Sequence, residues 1–244
     1  MTTESDKNAK QKVVFCVPTV KGPYPEFIKS LEASIPLVVE AGYDEGIAQE
    51  VGNPYISAAR AGMTRKALDA KADIIVYLDH DLSWDPADLL QLIQTEGDVV
   101  SGTYRFKTPE EEKYMGSLLT DEDGFPIVRP SDGALKSSMI PGGFIKVTRS
   151  ALQKIARRYP ELLYGDPFNY HIDLFQHGAH QGIWWGEDYA FARRWLDMGE
   201  DIWTVPDMNV HHWNSDGTVF EGNLHKFLLK QEGGSDHQKE NDNV

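Results

Sequence analysis

Two runs of apolar, largely β-branched residues limit how this chain can fold. The first covers residues 13–20, and the second, Ile74–Leu78, is the clearest strand pattern in the sequence. Neither run alternates between apolar and polar residues as a half-exposed strand does, so each is expected to be buried on both faces. Strands of this kind are typical of parallel sheets that carry helices on either side.

Helix-start signals follow these runs along the chain. They predict helices that begin at Pro25, at Asn53-Pro54 and at Asp85-Pro86. Pro36 is expected to kink or end the first helix, because proline has no N–H for the helical hydrogen bond. The alternation predicts an α/β domain with a mixed, mainly parallel central sheet flanked by helices.

The second half of the chain is less regular. Residues 105–135 are predicted to form loops and hairpins over a cleft, because they combine charged stretches with turn residues. No internal repeat or domain boundary is visible. Residues 12–230 are therefore predicted to form one domain, with a flexible segment at 1–11 and a disordered polar tail at 231–244.

Composition narrows the class of protein. The net charge of -14 over 244 residues disfavours a nucleic-acid acceptor, although a local basic cluster could still bind a phosphate. The single cysteine, Cys16, excludes a disulfide framework and is expected to be a small core residue. No stretch approaches the roughly 18 apolar residues of a membrane span, and no signal-peptide core is visible. A cytoplasmic protein is expected, and no pattern indicates its oligomeric state.

The strongest chemical signal is Asp79-His80-Asp81, directly after the second buried strand. In open α/β sheets, ligands bind outside the carboxyl ends of the strands. Alternate residues of an extended segment point the same way, so both carboxylates can face one cation while His80 points away. Carboxylate oxygens suit Mg²⁺ or Mn²⁺. The alternative is a pair of solvated loop acids.

A series of motifs follows in order along the chain: residues 13–19, Ser57-Ala58-Ala59-Arg60, Tyr77-Leu78-Asp79-His80-Asp81, Gly142-Gly143-Phe144, Gly186-Glu187-Asp188-Tyr189 and a late histidine. This series resembles the GT-A glycosyltransferases, in particular the single-domain bacterial and viral members of the broad family-2-like group. It covers most of residues 13–215. The resemblance implies a GT-A (Rossmann-like) domain and a metal-dependent enzyme that uses Mn²⁺ or Mg²⁺. It also implies transfer of a sugar from a nucleotide-sugar donor, here a UDP- or GDP-sugar, to a hydroxyl of a glycan or another acceptor.

The resemblance also implies which residues bind the donor. Asp79 and Asp81 would reach the diphosphate through the metal, and Pro18 and Thr19 would lie beside the nucleoside. Arg60, on the helix before the metal strand, could add a fixed positive charge to the same phosphates. The alternative for Arg60 is an ordinary surface arginine in an acidic protein.

Two further segments are weaker candidates for ligand contacts. Gly143, after Gly142, could let the donor or the acceptor approach the backbone, because glycine has no Cβ. An ordinary turn would need the same residues. Arg105 follows a predicted strand end and is a secondary phosphate or acceptor candidate.

An acidic motif is predicted to begin the helix beside the acceptor. A carboxylate there could accept the proton of the attacking hydroxyl, and Asp188 is favoured over Glu187 as this base. Trp184 and Trp185 precede it and could support a sugar ring, so they and Glu187 are predicted acceptor-binding residues. The alternative is that both acids only complement the helix dipole.

The late histidine of the series falls in His211-His212. Imidazole is a good ligand of Mn²⁺, and the apolar-x-His spacing favours His212 over His211. In the enzymes that this series resembles, a glycine usually stands two residues after this histidine, whereas Asn214 occupies that position here. The choice between the two histidines, and between inversion and retention of the anomeric configuration, stays open at this point.

Two other functions fit part of the pattern. A haloacid-dehalogenase-like phosphatase also has an Asp-x-Asp after a strand, with Asp79 as nucleophile. That fold expects the nucleophile on an early strand and a late G-D-x-x-x-D metal motif, whereas here Ala192 stands four residues after Asp188. The second alternative is a non-catalytic module that binds nucleotide sugars, against which the intact Asp79, Asp81 and Asp188 argue.

Overall fold

A computed structural model describes residues 10–166 and 168–231. The flexible segment predicted at 1–11 and the tail predicted at 231–244 fall almost entirely outside these residues. Residues 224–231 are helical. The other helices are α1 Pro25–Glu40, α2 Ile56–Asp69, α3 Pro86–Gln94, α4 Arg149–Arg158 and α5 Glu187–Leu196.

The strands form one large sheet, one small sheet and two hairpins. In chain order they are β1 Lys12–Thr19, β2 Asp44–Val51, β3 Ile74–Leu78, β4 Leu82–Trp84, β5 Val99–Ser101, β6 Ser117–Leu118, β7 Leu135–Met139, β8 Phe144–Thr148, β9 Leu163–Asp166, β10 Asn169–Ile172, β11 Gly178–His180, β12 Ile183–Trp185, β13 Trp203–Thr204, β14 Val210–Trp213 and β15 Val219–Phe220.

The large sheet has eight strands in the order β2-β1-β3-β8-β5-β13-β7-β6. The strand β1 is parallel to β2 and β3, and β13 is parallel to β5. The strands β8 and β7 run antiparallel to their neighbours. The predicted fold class, an α/β domain with a mixed, mainly parallel sheet, is confirmed.

The central strands separate two buried apolar clusters. Val13, Phe15 and Val17 of β1 belong to one cluster, and Val14 and Cys16 belong to the other. Successive side chains of a strand point to opposite faces, so a strand covered by helices on both sides needs apolar residues at every position. Cys16 is buried as predicted, and its burial raises the pKa of the thiol.

Two helix boundaries differ from the prediction. The helix α1 continues through Pro36, because Val38 beyond the proline still packs in the core. Pro36 therefore does not end this helix, and the alternative expectation of a kink at Pro36 stays a prediction. The helix α2 begins after Tyr55 rather than at Pro54, since Asn53 Oδ1 accepts a hydrogen bond from the Tyr55 N–H at 3.0 Å and forms a turn before the helix.

A small antiparallel sheet, in the order β15-β14-β4, lies beside the carboxyl edge of the large sheet. His212 of β14 pairs with Leu82 of β4, and the Trp213 N–H donates to the Asp81 carbonyl at 2.8 Å. This pairing brings a strand from late in the chain next to the Asp-x-Asp motif.

Two hairpins, β9–β10 and β11–β12, lie between α4 and α5 in the chain. Gln181 and Gly182 join β11 to β12, and both have positive φ, as a tight type I′ turn requires. The second hairpin leads directly into α5. Within the described part of the chain, no helix is long and apolar enough to cross a membrane.

Candidate functional site

The Asp-x-Asp motif lies at the carboxyl edge of the sheet, where β3 meets the beginning of the antiparallel β8. The Asp79 N–H donates to the Gly143 carbonyl at 2.8 Å, which holds the motif against the Gly142-Gly143 turn. Tyr104 follows β5, the strand on the other side of β8, and its hydroxyl lies 3.5 Å from Asp79 Oδ2. Three strands thus place a carboxylate, a glycine turn and a phenol together.

Arg60 is the centre of the charged network beneath this edge. It is 1% exposed, and its Nη2 lies 3.0 Å from Asp79 Oδ1 while Nη1 lies 3.1 Å from Glu187 Oε1. The guanidinium also stacks on the Phe175 ring at 4.8 Å from its centroid. One buried cation therefore joins the motif after β3 to the motif that begins α5, and Glu187 in that second motif lies 127 residues after Arg60 in the chain.

Direct contact of Arg60 with the diphosphate stays a prediction. Both terminal nitrogens of the guanidinium are occupied by carboxylates, and the side chain lies below the surface of the site. The Arg60 Nε is buried without a hydrogen-bond partner among the described residues. The alternative of an ordinary surface arginine is excluded by this burial.

The glycine turn is required by the protein's own side chains. A Cβ on Gly143 would overlap the carboxylate of Asp79 and the hydroxyl of Tyr104, and a Cβ on Gly142 would lie 2.8 Å from Arg60 Nη1. The close approach predicted for Gly143 is present, but the group that approaches is Asp79. Gly143 is buried, and its contact with a donor stays a prediction.

Asp81 lies on the other side of the motif, between two nitrogen atoms. Its Oδ2 is 2.6 Å from Lys107 Nζ and 3.5 Å from His212 Nε2. Burial opposes ionisation of this carboxyl, but the contacts with His212 and Lys107 outweigh it and lower the pKa of Asp81 below its ordinary value. Asp81 is therefore an anion throughout the physiological range.

The orientation of His212 is set by its other ring nitrogen. His212 Nδ1 lies 2.9 Å from the Arg105 carbonyl, which can only accept, so Nδ1 carries a proton. When Nε2 also carries a proton, it donates to Asp81 Oδ2 and lowers the pKa of that carboxyl; without this proton, it presents a lone pair to the same oxygen. Two acceptors that face each other favour a cation between them, so Asp81 and His212 fit a divalent metal ion.

Asp79 is less well placed as a ligand of the same ion, because both of its oxygens face Arg60 and Tyr104. Among the described residues, no group of three or more His, Cys, Asp or Glu side chains is arranged to hold a metal. Sites that use Mg²⁺ or Mn²⁺ on a nucleotide commonly need only one or two protein ligands, because phosphates and waters supply the others. Coordination by Asp79, Asp81 and His212 stays a prediction.

Asp188 lies in the first turn of α5, beside Glu187. Burial raises the pKa of Asp188 to about 6, and the negative charge of Glu187 adds to the shift. The Tyr189 N–H, which donates to Asp188 Oδ1 at 2.8 Å, and the charge of Arg60 act in the opposite direction. A carboxylate with a pKa of about 6 accepts a proton more readily than an ordinary aspartate and is still ionised at neutral pH.

The two tryptophans before α5 have different surroundings. Trp184 is 71% exposed in the middle of β12, the second strand of the β11–β12 hairpin. Trp185 is partly buried, lies under Arg193 of α5 at 5.5 Å, and has its Nε1 3.4 Å from the His180 carbonyl. Of the two predicted acceptor-binding aromatics, Trp184 therefore presents the open ring face.

The remaining predicted residues lie around the same edge. Pro18 and Thr19 are buried at the end of β1, and Thr19 Oγ1 accepts from the Gly22 N–H at 2.9 Å. The Arg105 side chain points to Phe220, at 5.8 Å from the ring centroid, so the carbonyl of this residue rather than its charge reaches the site. His211 faces the Gly222 N–H, while His80 packs edge-on against Tyr24.

Sequence reasoning did not identify three residues of the site. Lys107 belongs to a charged loop, Tyr104 to a strand end and Phe175 to an apolar stretch, and none has a motif of its own. The position of Tyr104 just after β5 was the available signal, because strand ends at this edge converge on the same cleft.

Comparison with known proteins gives only distant similarities. No protein-family model and no curated protein matches the sequence. The chain is similar to the solved structure of a glycosyltransferase involved in the glycosylation of the major capsid of PBCV-1, with 14% identity and a TM-score of 0.30, over 59% of this chain and 66% of that chain. It is also similar to S. aureus TarS 1-349, with 12% identity and a TM-score of 0.41, over 80% of this chain and 58% of that chain. The chain spans less than two thirds of the length of either protein.

Proposed function

We propose that this chain is a metal-dependent glycosyltransferase that moves a sugar from a UDP- or GDP-sugar to a hydroxyl of a glycan or another acceptor. The observation that carries the proposal is the buried Arg60, which pairs with Asp79 on one side and with Glu187 on the other. This pairing brings the Asp-x-Asp motif and the start of α5 side by side at the carboxyl edge of the sheet, and the surface between them is called the cleft below. Asp79 and Asp81 are then available to the donor, and Glu187 and Asp188 are available to the acceptor, at the same edge of the sheet.

The charge balance of the cleft supports a metal. The residues described above include four carboxylates, namely Asp79, Asp81, Glu187 and Asp188, and two cationic side chains, Arg60 and Lys107. A nucleoside diphosphate would add further negative charge, so its binding requires an additional cation. When bound at Asp81 and His212, Mn²⁺ or Mg²⁺ would neutralise the charge that develops on the departing diphosphate.

Asp188 is the proposed general base of an inverting transfer. The acceptor oxygen forms a bond to the anomeric carbon on one face while the bond to the diphosphate oxygen breaks on the other. The proton of the acceptor hydroxyl passes to the Asp188 carboxylate, whose raised pKa suits this role. The exposed ring of Trp184, on the hairpin that leads into α5, offers an apolar surface for the acceptor sugar.

The surroundings of Asp79 disfavour the phosphatase alternative. A nucleophilic aspartate needs a free oxygen in line with the phosphorus atom. In this structure, Asp79 Oδ1 is bound to the buried Arg60 and Oδ2 faces Tyr104. The intact Asp79, Asp81 and Asp188 disfavour the non-catalytic binding module.

A screen of nucleotide sugars tests the proposal. We expect hydrolysis or transfer of one UDP- or GDP-sugar that requires Mn²⁺ or Mg²⁺ and that Asp81→Ala abolishes. The matched control is Asp69→Ala, which removes an exposed aspartate of α2 and should leave the reaction unchanged. Unchanged metal-dependent nucleotide binding in Asp81→Ala would refute the central assignment.

A further inference from the structure

Lys107 forms the shortest ion pair of the site. Its Nζ lies 2.6 Å from Asp81 Oδ2, the same oxygen that His212 Nε2 approaches to 3.5 Å. The Asp81 side chain is only 18% exposed, and a carboxylate so poorly hydrated is costly without a partner. Lys107 therefore supplies the positive charge that Asp81 needs in the protein without ligands.

The loop that carries Lys107 is closed at its base. The Met115 N–H donates to the Tyr104 carbonyl at 3.0 Å, and the Phe106 N–H donates to the Lys113 carbonyl at 2.9 Å. Lys107 directly follows this closed pair, at the start of the exposed part of the loop. The four-carbon side chain can therefore change partner by rotation about its own bonds, without breaking the backbone contacts of the loop base.

The two cations of the cleft are held differently. Arg60 is buried and bound to two carboxylates, so it is fixed in place. Lys107 is bound to a single carboxylate, and its side chain is 26% exposed at the cleft. Of the two, Lys107 is the cation that can follow a ligand.

We propose that Lys107 is a catalytic residue that changes partner during the reaction, pairing with Asp81 in the free enzyme and with the diphosphate in the donor complex. The inference rests on the proposed function, which supplies a nucleoside-diphosphate donor. An ammonium and a divalent cation repel each other if both contact Asp81 Oδ2, so Lys107 leaves Asp81 when the metal is bound there. The donor provides new phosphate oxygens within the same cleft.

In the transfer step, Lys107 acts as a cation and hydrogen-bond donor and transfers no proton. The bond between the anomeric carbon and the diphosphate oxygen breaks, and its electron pair stays on that oxygen. The Lys107 ammonium donates a hydrogen bond to the diphosphate and stabilises this charge without giving up its proton. The proton of the acceptor hydroxyl goes to Asp188, as proposed above.

The variant Lys107→Met tests this exchange, because it keeps the length of the side chain and removes its charge. We expect Mn²⁺ alone to bind roughly tenfold more tightly, since a competing cation has been removed from Asp81. We expect UDP or GDP to bind about ten- to a hundredfold more weakly at saturating Mn²⁺, the range for losing a hydrogen bond to a charged group.

Isothermal titration calorimetry measures both affinities on the full chain. Mn²⁺ is titrated into the wild type, Lys107→Met, Lys107→Arg and Lys113→Met, and UDP and GDP are then titrated into each protein at saturating Mn²⁺. Lys113→Met is the matched control, because Lys113 is an exposed lysine of the same loop. Lys107→Arg keeps the charge and should stay close to the wild type with Mn²⁺ alone.

The outcomes separate this inference from the proposed function. A wild type that binds neither UDP nor GDP in the presence of Mn²⁺ refutes both. If the wild type binds and Lys107→Met matches Lys113→Met in either titration, the exchange is wrong and the proposed function stands. Weaker binding of Mn²⁺ by Lys107→Met, at an unchanged temperature of thermal unfolding, also refutes the exchange, because Lys107 would then assist the metal instead of competing with it.

Discussion

Replacing Asp188 by asparagine tests the mechanism most directly. The substitution keeps the shape of the side chain and its contact with the Tyr189 N–H, but it removes the carboxylate that accepts the proton. Transfer should fall by roughly 10² to 10⁴, the usual contribution of a positioned general base. Binding of UDP or GDP with Mn²⁺ should stay near the wild-type value, because the proposed metal and phosphate contacts involve other residues.

The raised pKa adds a dependence on pH. With a pKa of about 6, Asp188 is about nine-tenths ionised at pH 7, half ionised at pH 6 and one-tenth ionised at pH 5. The rate of transfer by the wild type should follow this fraction and fall about tenfold between pH 7.5 and pH 5. The residual rate of transfer by Asp188→Asn should not show this fall between pH 7.5 and pH 5.

The raised pKa of Asp188 also predicts that Asp188→Asn is more stable than the wild type at neutral pH. The folded protein binds the Asp188 proton more tightly than the unfolded chain does, so the ionised carboxylate destabilises the fold at neutral pH. The destabilisation is relieved as the pH falls from about 6 towards the ordinary value of 3.8. Asp188→Asn should therefore raise the free energy of unfolding at pH 7 by something on the order of 1 to 3 kcal/mol, and the gain should vanish below about pH 4.

The assay measures release of the nucleoside diphosphate with and without acceptor, alongside urea unfolding at pH 7 and pH 4. Asp197→Asn is the matched control, because Asp197 is an exposed aspartate at the end of the same helix. A rate of transfer near the wild-type value in Asp188→Asn would mean that Asp188 only complements the dipole of α5 and is not the base. Loss of Mn²⁺ and donor binding together would place Asp188 in the metal site. NMR of the anomeric proton of the product completes the test, since retained configuration would remove the need for this base.

Three other substitutions test the roles proposed for Arg60, Gly143 and Trp184. Arg60→Ala should lower the free energy of unfolding by roughly 3 kcal/mol, because it leaves Asp79 and Glu187 unpaired. If Arg60 also contacts the diphosphate, the same variant should weaken donor binding by about 1.5 to 3 kcal/mol, and Arg60→Lys should only partly restore it. Wild-type values in urea unfolding and UDP titration would contradict this. Gly143→Ala should reduce Mn²⁺-dependent binding of UDP or GDP, because the new methyl group displaces Asp79, whereas Gly62→Ala, where a methyl group has room, should not. Trp184→Ala should raise the KM of the acceptor about tenfold and leave donor affinity unchanged; equal KM values would remove Trp184 from the acceptor site.

Some features of this protein follow from the sequence alone. The continuous apolar runs of β1 and β3 predicted strands buried on both faces, and the structure has helices over both sides of these strands. A strand buried on both faces belongs inside an α/β sheet, and the residues after it must emerge at the sheet edge. The position of Asp79 and Asp81 was predictable for this reason, since it depends only on where the apolar run ends.

The partners of the charged side chains were decided by the tertiary structure. Arg60 lies 127 residues from Glu187, and Lys107 lies 26 residues from Asp81, so no local spacing predicts either ion pair. His212 reaches Asp81 only because β14 pairs with β4. Apolar periodicity determines which face of a helix or strand is buried, whereas the distance between two charges depends on how whole elements pack. The sequence therefore predicted the edge of the sheet at which the site lies, and the packing of α2, α5 and β14 decided which side chains meet there.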